Sequence, residues 1–157
     1  MGLDMFLQKS TYVQNWDHNP PEEKFTVTVE QNGKLVEHIK PERVSYIIEN
    51  VGYWRKANAI HKWFVDNVQD GSDDCKEYHV GKTQLEELLE LCKQIKEDNT
   101  KAEELLPTQE GFFFGGTEYD EFYFEDIKNT IEMLESLLSE DTGNGFYESD
   151  YIYQSSW

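Results

Sequence analysis

One short segment of this chain combines carboxylates with aromatic rings, the two side-chain types best suited here to chemistry or to binding. Positions 118–126 hold five acidic and four aromatic residues. Dense like charge costs folding free energy through repulsion, and it also creates a negative surface that speeds encounter with a basic partner. Tyrosine side chains add anchoring area to such a surface. The residues that we predict to form a partner-binding surface are Glu118, Tyr119, Asp120, Glu121, Tyr123, Glu125 and Asp126.

The same carboxylates have two other interpretations. Acids at the start of a helix interact favourably with the positive end of the helix dipole, so each one alone has a purely structural explanation. They also suggest Mg²⁺ ligands or a general acid/base pair. Catalytic pairs, however, need carboxylates in distinct environments that meet across a cleft, whereas these are close in sequence and expected to be solvated. We therefore predict no catalytic residues.

Cysteine and histidine spacing does not predict a metal site. Cys75 and His79 lie four residues apart, but with Cys92 and His61 they match no zinc-finger or zinc-knuckle pattern. Cys92 falls on an apolar helical stripe and is predicted to be a small buried side chain. His61 shares a face with Trp54 and is predicted to be a hydrogen-bonded packing residue. No metal and no cofactor are expected.

The first half of the chain is predicted to be mostly strands. Residues 3–13 favour a strand, and Asn32-Gly33 is typical of a tight hairpin turn between strands at 25–29 and 35–39. Residues 43–51 are in part β-branched and aromatic, which favours a strand but leaves a helix open. From Tyr53 the apolar spacing becomes helical, which predicts an amphipathic helix that ends before Gly71.

The second half is predicted to be mainly helical. A short strand is expected at 78–80, and a capping box at 83–86 predicts the start of a second helix. Residues 111–116 are expected to form a strand or tight loop in which three consecutive Phe side chains are buried. A third helix is predicted at 119–138 and a closing strand at 146–153. Together these elements predict an α+β fold, an antiparallel sheet with about three helices packed against it, in a single acidic domain at 1–157.

Charge limits the possible partners. The chain has 32 acidic and 14 basic residues, a formal charge of −18 and a pI near 4.4. Such a charge repels phosphate backbones and anionic lipids, so we expect no direct nucleic-acid or membrane binding. From Glu103 onward there are 14 acids and one base, Lys128, so this third carries −13 of the total. Two cysteines, an acidic start and no long apolar run favour a cytoplasmic protein.

Three blocks of this sequence resemble a family of small acidic proteins of phages and prophages. They are the opening Met-Gly-Leu-Asp-Met-Phe-Leu, the run Tyr-Trp-Arg-Lys-Ala-Asn-Ala-Ile-His-Lys-Trp-Phe at 53–64, and the stretch at 105–116 followed by Tyr-Asp-Glu at 119–121. Some phage proteins of this size and charge are anti-CRISPR inhibitors, and the chain is similar to that class. The resemblance implies an inhibitor in the cytoplasm of an infected bacterium that binds a basic nucleic-acid-handling host protein, such as a CRISPR RNA-guided nuclease.

An acidic domain has two ways to inhibit such a nuclease. It can cover the basic groove that receives DNA, or it can hold the mobile nuclease domain in its inactive position. Two other functions stay open. One is a phage nucleotide-processing or metabolic enzyme in which Arg55, Lys56 and His61 face a pocket, and the other is an assembly factor.

Overall fold

A four-stranded antiparallel sheet forms the centre of the protein. The computed structural model describes residues 2–140 and 150–157. Its main strands are β1 (Asp4–Tyr12), β4 (Tyr46–Arg55), β5 (Tyr78–Val80) and β6 (Asp150–Ser156), in the order β4-β1-β6-β5. Helices α1 (Asn58–Asn67), α2 (Lys82–Glu97), α3 (Ala102–Leu105) and α4 (Glu121–Ser139) complete the fold. The predicted α+β class, with an antiparallel sheet and three long helices, is confirmed.

The sheet has a buried and an exposed face where the start of β1 pairs with the end of β4. Met5 and Leu7 are fully buried, whereas Phe6 between them is exposed. In β4, Trp54 is buried and its Nε1–H donates to Thr130 Oγ1 of α4 at 2.9 Å. The strand at 43–51 is thus confirmed in place of the helix, although it begins three residues later and continues to Arg55.

The predicted helix start at Tyr53 was wrong. Tyr53 and Trp54 belong to β4 and point to opposite faces of the sheet, with Tyr53 exposed and Trp54 buried. The chain leaves the strand at Lys56, where φ is +56°, and α1 begins only at Asn58. Trp54 in the strand and the apolar residues of α1 all face the core, so their spacing in the sequence matched a single helical period.

The hairpin turn is confirmed, but its strands are short. Asn32 and Gly33 both have positive φ, 51° and 76°, as this turn requires. The paired segments are only β2 (Glu30–Gln31) and β3 (Lys34–Leu35), not residues 25–29 and 35–39. They form a separate two-stranded sheet in which all four residues are exposed. Without a buried face, little stabilises longer strands.

Helices α2 and α4 pack together over the core. Leu85, Leu88 and Cys92 of α2 are fully buried, and Ile131 and Leu134 of α4 lie in the same hydrophobic cluster. The capping box predicted at 83–86 was displaced by two residues: α2 begins at Lys82, and the Gln84 side chain accepts the Gly81 N–H at 3.0 Å. None of the helices in the described parts of the chain combines the length and apolar composition that crossing a membrane requires.

The loop at 109–116 departs from the predicted burial. Only Phe114 is buried, while Phe112 and Phe113 are exposed and pack edge to face. Positive φ at Phe113 and Gly115 turns the loop sharply, so three consecutive rings cannot share one side. The closing strand is confirmed as β6, and positions 146–149 of that prediction lie outside the described residues.

Candidate functional site

A cleft of about 390 Å³ lies between the start of α4 and the junction of β4 with α1. The basic side chains Arg55 and Lys56 lie on the β4–α1 side. The acidic side is formed by residues at and before the start of α4, and the 108–116 loop also lines the cleft. The residues used below are Arg55, Lys56, Asn58, Gly115, Gly116, Glu118, Asp120, Phe122, Glu125 and Asp126.

Asn58 fixes the position of the loop that lines the cleft. Its side chain is buried, and its Nδ2 donates to the carbonyl oxygens of Phe114 at 3.0 Å and Gly116 at 2.9 Å. Its Oδ1 accepts the Gln109 N–H at 3.0 Å. Gly115 has a φ of +87°, and a Cβ there would lie 3.2 Å from Lys56 Cβ. The first turn of α1 and the loop therefore pack as one wall.

Asp120 is the N-cap of α4. One carboxylate oxygen accepts the backbone N–H groups of Phe122 and Tyr123, each at 3.1 Å. These donors have no partner within the helix, and a capping carboxylate also lies at the positive end of the helix dipole. Asp120 thus has the structural role that the helix-start interpretation assigned to such a carboxylate.

The two tyrosines of the predicted surface are structural rather than open to a partner. Tyr123 is buried, and its hydroxyl donates to the Leu106 carbonyl at 2.8 Å. Burial raises the pKa of Tyr123 well above its usual range. Tyr119 is half-buried, and its hydroxyl accepts the Thr108 N–H at 3.2 Å. We therefore correct the expectation that Tyr123 is an exposed anchor, because its ring packs in the core.

Besides the N-cap Asp120, the exposed part of the segment consists of three carboxylates and one aromatic ring. Glu118, Glu121 and Glu125 are exposed, and none takes part in an ion pair within residues 2–140 and 150–157. Phe122 lies among them in sequence and is 72% exposed. The sequence analysis did not single out Phe122. Its signal was an apolar residue at the second position of α4, outside the apolar stripe of the helix.

Asp126 is the innermost carboxylate of the segment. It is half-buried, and it lines the cleft with Asp120 and Glu125. Burial, together with the neighbouring charges of Glu125 and Asp120, raises the pKa of Asp126 to about 6. The cleft is thus lined by a carboxylate with a raised pKa as well as by Arg55 and Lys56.

His61 borders a different cavity and does not join Arg55 and Lys56. It is fully buried, with Nδ1 2.6 Å from the Tyr153 hydroxyl and Nε2 3.0 Å from Asp73 Oδ2. The prediction of a hydrogen-bonded packing residue is confirmed. The neighbouring cavity, also about 390 Å³, is lined by His61, Phe114 and Trp157 among others. Both ring nitrogens are occupied, which leaves neither free to act on a substrate.

No protein-family model, curated protein or solved structure matches the chain. Within the described residues, no group of three His, Cys, Asp or Glu side chains is arranged to hold a metal ion. Gly2 and Gly115 both pack on Lys56: a Cβ on Gly2 would lie 3.2 Å from Lys56 Cε, and a Cβ on Gly115 would lie 3.2 Å from Lys56 Cβ.

Proposed function

We propose that this chain is a binding protein that occupies a basic surface of another protein through the exposed start of α4. The observation that carries the proposal is Phe122, 72% exposed beside Glu118, Glu121 and Glu125. An aromatic ring with a polar rim is the usual composition of an energetic centre in a protein interface. The carboxylates add electrostatic attraction toward a basic partner. We name Glu118, Glu121, Phe122 and Glu125 the α4 surface.

The partner class follows from charge and from the phage resemblance. The chain carries −18, which repels nucleic acid but attracts proteins that hold nucleic acid in basic channels. RNA-guided nucleases are such proteins, because they bind guide and target in a positively charged groove. We propose a phage-encoded inhibitor of a nuclease of this kind. It acts by covering the DNA groove or by holding the nuclease domain in its inactive position.

A charge-reversal experiment tests the α4 surface. The double variant Glu121→Lys/Glu125→Lys leaves the N-cap Asp120 intact and changes the net charge from −18 to −14, since each replacement adds two charges. The matched control is Glu86→Lys/Glu90→Lys, an exposed pair with the same spacing on α2 and the same final charge. We expect affinity for a purified RNA-guided nuclease to fall at least about tenfold more in the first variant. Equal losses of affinity in the α4 and α2 variants would contradict the proposal that the α4 surface binds the partner.

Phe122 needs a separate test, because its side chain carries no charge. Replacement of Phe122 by Ala removes an exposed ring and leaves the net charge unchanged. If the ring fills a pocket on the partner, truncation costs about 2 kcal/mol, which is roughly a thirtyfold loss of affinity. The exposed Phe112→Ala is the control on a neighbouring loop. Loss of binding only in the Phe122 variant supports the α4 surface, and unchanged binding contradicts it.

A second candidate function is a phage enzyme that acts on a small phosphorylated molecule such as a nucleotide. The observation that favours it is the cleft itself, which is lined both by Arg55 and Lys56 and by Asp126, a carboxylate with a raised pKa. Nucleotides at millimolar concentration would then raise the melting temperature, and Arg55→Gln would abolish the shift. No shift with any nucleotide, together with nuclease binding through α4, favours the inhibitor.

A further inference from the structure

The face of the sheet opposite the helices carries a row of exposed apolar side chains. On the other face, Met5 and Leu7 are fully buried, and Gly52 lies against Met133 of α4. The outward side chains of β1 and β4 have no helix over them within residues 2–140 and 150–157. We name the large apolar members of this face the aromatic stripe: Phe6 (38% exposed), Tyr12 (38%), Tyr46 (55%), Ile48 (56%) and Tyr53 (51%).

Strand register places these side chains on one face. Phe6 lies opposite Tyr53, with ring centroids 5.5 Å apart, and Tyr12 lies opposite Tyr46, with centroids 5.1 Å apart. Between the two pairs, Ser10 lies opposite Ile48, and Gln8 Nε2 donates to the opposite Asn50 Oδ1 at 3.0 Å. The register of the two strands shifts after Leu7, and on both sides of this shift the outward residues of β4 lie opposite the outward residues of β1. The stripe therefore has an aromatic pair at each end and polar groups in the middle.

The middle of the aromatic stripe contains no charged residue. In a chain with 29% charged residues, the outward positions of β1 and β4 between the two aromatic pairs contain no Asp, Glu, Lys or Arg. The nearest charges are the Asp4–Arg55 ion pair, whose Asp4 carboxylate accepts a hydrogen bond from the Tyr53 hydroxyl, and Asp150 on β6 opposite Ser10. Aromatic enrichment together with charge depletion is the composition of the buried centre of a protein interface. A basic partner would gain no electrostatic attraction from it.

We propose that the aromatic stripe is the contact between two copies of this chain. A two-fold axis through its middle places the Phe6–Tyr53 pair of one copy on the Tyr12–Tyr46 pair of the other, so the surface is self-complementary. Two sheets that pack face to face in this way form a sandwich with nearly aligned strands. The helical side, with the α4 surface, stays outside the contact in each copy.

The available area predicts a weak dimer. At 150–250 Å² for each large side chain, the exposed fractions of the five stripe residues amount to roughly 500 Å² per copy. The two copies together thus bury about 1,000 Å² before the intervening polar side chains are added, near the lower limit of about 1,200 Å² for specific interfaces. We expect dissociation in the range of about 10–100 µM, as for other small interfaces.

Salt distinguishes this contact from the proposed binding to a basic partner. Two copies each carry −18 and repel one another, so added salt screens the repulsion and strengthens the dimer. Binding of the α4 surface to a basic protein has the opposite dependence and weakens with salt. Failure of one proposal therefore leaves the other unaffected.

Sedimentation equilibrium of the full chain tests the dimer at about 5–500 µM and in low and high salt. Phe6→Lys and Ile48→Lys place a charge in the stripe, while Leu35→Lys places the same charge on the exposed hairpin, where Leu35 is 64% exposed. We expect wild type and Leu35→Lys to dimerise, and both stripe variants to dissociate at least about tenfold more readily. Phe6 is on β1, which is paired on both sides, so dimers formed through the free edge of β4 would survive Phe6→Lys.

Several results overturn the proposal. A monomer at every concentration does so, and so does a dimer that Phe6→Lys leaves intact. A monomeric chain that loses nuclease affinity on Ile48→Lys would assign the stripe to that partner instead. Circular dichroism checks that each variant is folded. Tyr46→Ser, a milder change at an exposed site, replaces any variant that does not fold.

Discussion

The Asn58 side chain donates a hydrogen bond to the Gly116 carbonyl at 2.9 Å, across 58 residues of sequence. This bond joins the first turn of α1 to the loop that lines the cleft. It is one of three bonds made by the same buried amide, which together hold the 109–116 loop against the start of α1.

Replacement of Asn58 by Ala should destabilise the protein strongly. It leaves the Phe114 carbonyl and the Gln109 N–H without their side-chain partner in a site shielded from water. Groups left unsatisfied in this way cost about 1–3 kcal/mol, so we expect the free energy of unfolding in urea to fall by about 2–3 kcal/mol. The exposed Asn50→Ala removes a single surface hydrogen bond and should cost less than about 1 kcal/mol. Similar losses at the two positions would contradict this role for Asn58.

Replacement of Asp120 by Ala should weaken α4 at its start. Two backbone N–H groups lose their acceptor, and the dipole loses a favourable charge. Loss of an N-cap costs about 1 kcal/mol, which thermal or urea unfolding detects. Asp120→Asn keeps an acceptor oxygen and should recover most of this loss. Equal destabilisation by Ala and Asn would show that the charge, not the cap, is what matters.

Because the pKa of Asp126 is raised in the folded state, the free energy of unfolding should depend on pH in a defined direction. The folded state holds the proton more tightly than the unfolded chain, because the folded pKa is raised to about 6. The ionised carboxylate therefore destabilises the fold at neutral pH, and the penalty disappears as the pH falls through about 6 to about 4. After a discount for partial solvent exposure, Asp126→Asn should raise the free energy of unfolding by about 1 kcal/mol at pH 7.5 and by almost nothing near pH 4. Glu121→Gln, on the exposed side of α4, is the control, and a gain that does not vary with pH would refute the prediction.

Tyr153→Phe tests the buried contact with His61. The hydroxyl lies 2.6 Å from His61 Nδ1, and both side chains are fully inaccessible to solvent. The variant keeps the ring that stacks on Phe64 but leaves a buried nitrogen without its partner. Chemical denaturation should show a loss of about 1–3 kcal/mol. Tyr12→Phe, at an exposed site, should change stability little. If Tyr153→Phe also leaves the free energy of unfolding unchanged, the contact between Tyr153 and His61 contributes nothing to stability.

The two thiols should differ in reactivity. Burial raises the pKa of the Cys92 thiol to about 12, and the side chain is fully inaccessible, whereas Cys75 is partly exposed. Only the thiolate reacts readily with a disulfide reagent. Titration of the native protein at pH 8 should therefore detect one fast thiol, and denatured protein should show two. Cys75→Ser should abolish the fast reaction; a remaining fast thiol would contradict the burial of Cys92.

Sequence periodicity predicted the long elements well and their junctions poorly. The stripe of Leu85, Leu88 and Cys92 identified α2, because a helix of that length presents a single apolar face to the core. The junction at Tyr53 failed, since a buried Trp54 has the same apolar signal whether the backbone is a strand or a helix. The prediction that all three Phe side chains at 112–114 are buried was wrong for a related reason. Composition indicates that aromatic rings favour burial, but the backbone turn at Phe113 and Gly115 determines which of the three rings is buried.

The candidate site was predictable in part. Local sequence identified the acidic segment and a helix start, because charge density and caps are properties of neighbouring residues. It did not separate Tyr123, which packs in the core, from Phe122, which is exposed, since that difference depends on which side of α4 faces the sheet. It also gave no indication that Arg55 and Lys56 line the same cleft as Asp126, because they are some 70 residues apart along the chain.

The sequence by itself determined the class of fold, the negative charge and the positions of the main helices and strands, since these depend on composition and on periodicity within a short window. Tertiary structure alone decided that Asn58 joins α1 to the 109–116 loop, that His61 is enclosed by Tyr153 and Asp73, and that two aromatic pairs align on an open face of the sheet. The physical reason is the same in each case. Burial and hydrogen bonding between distant residues are settled by packing of the whole chain, which no local pattern encodes.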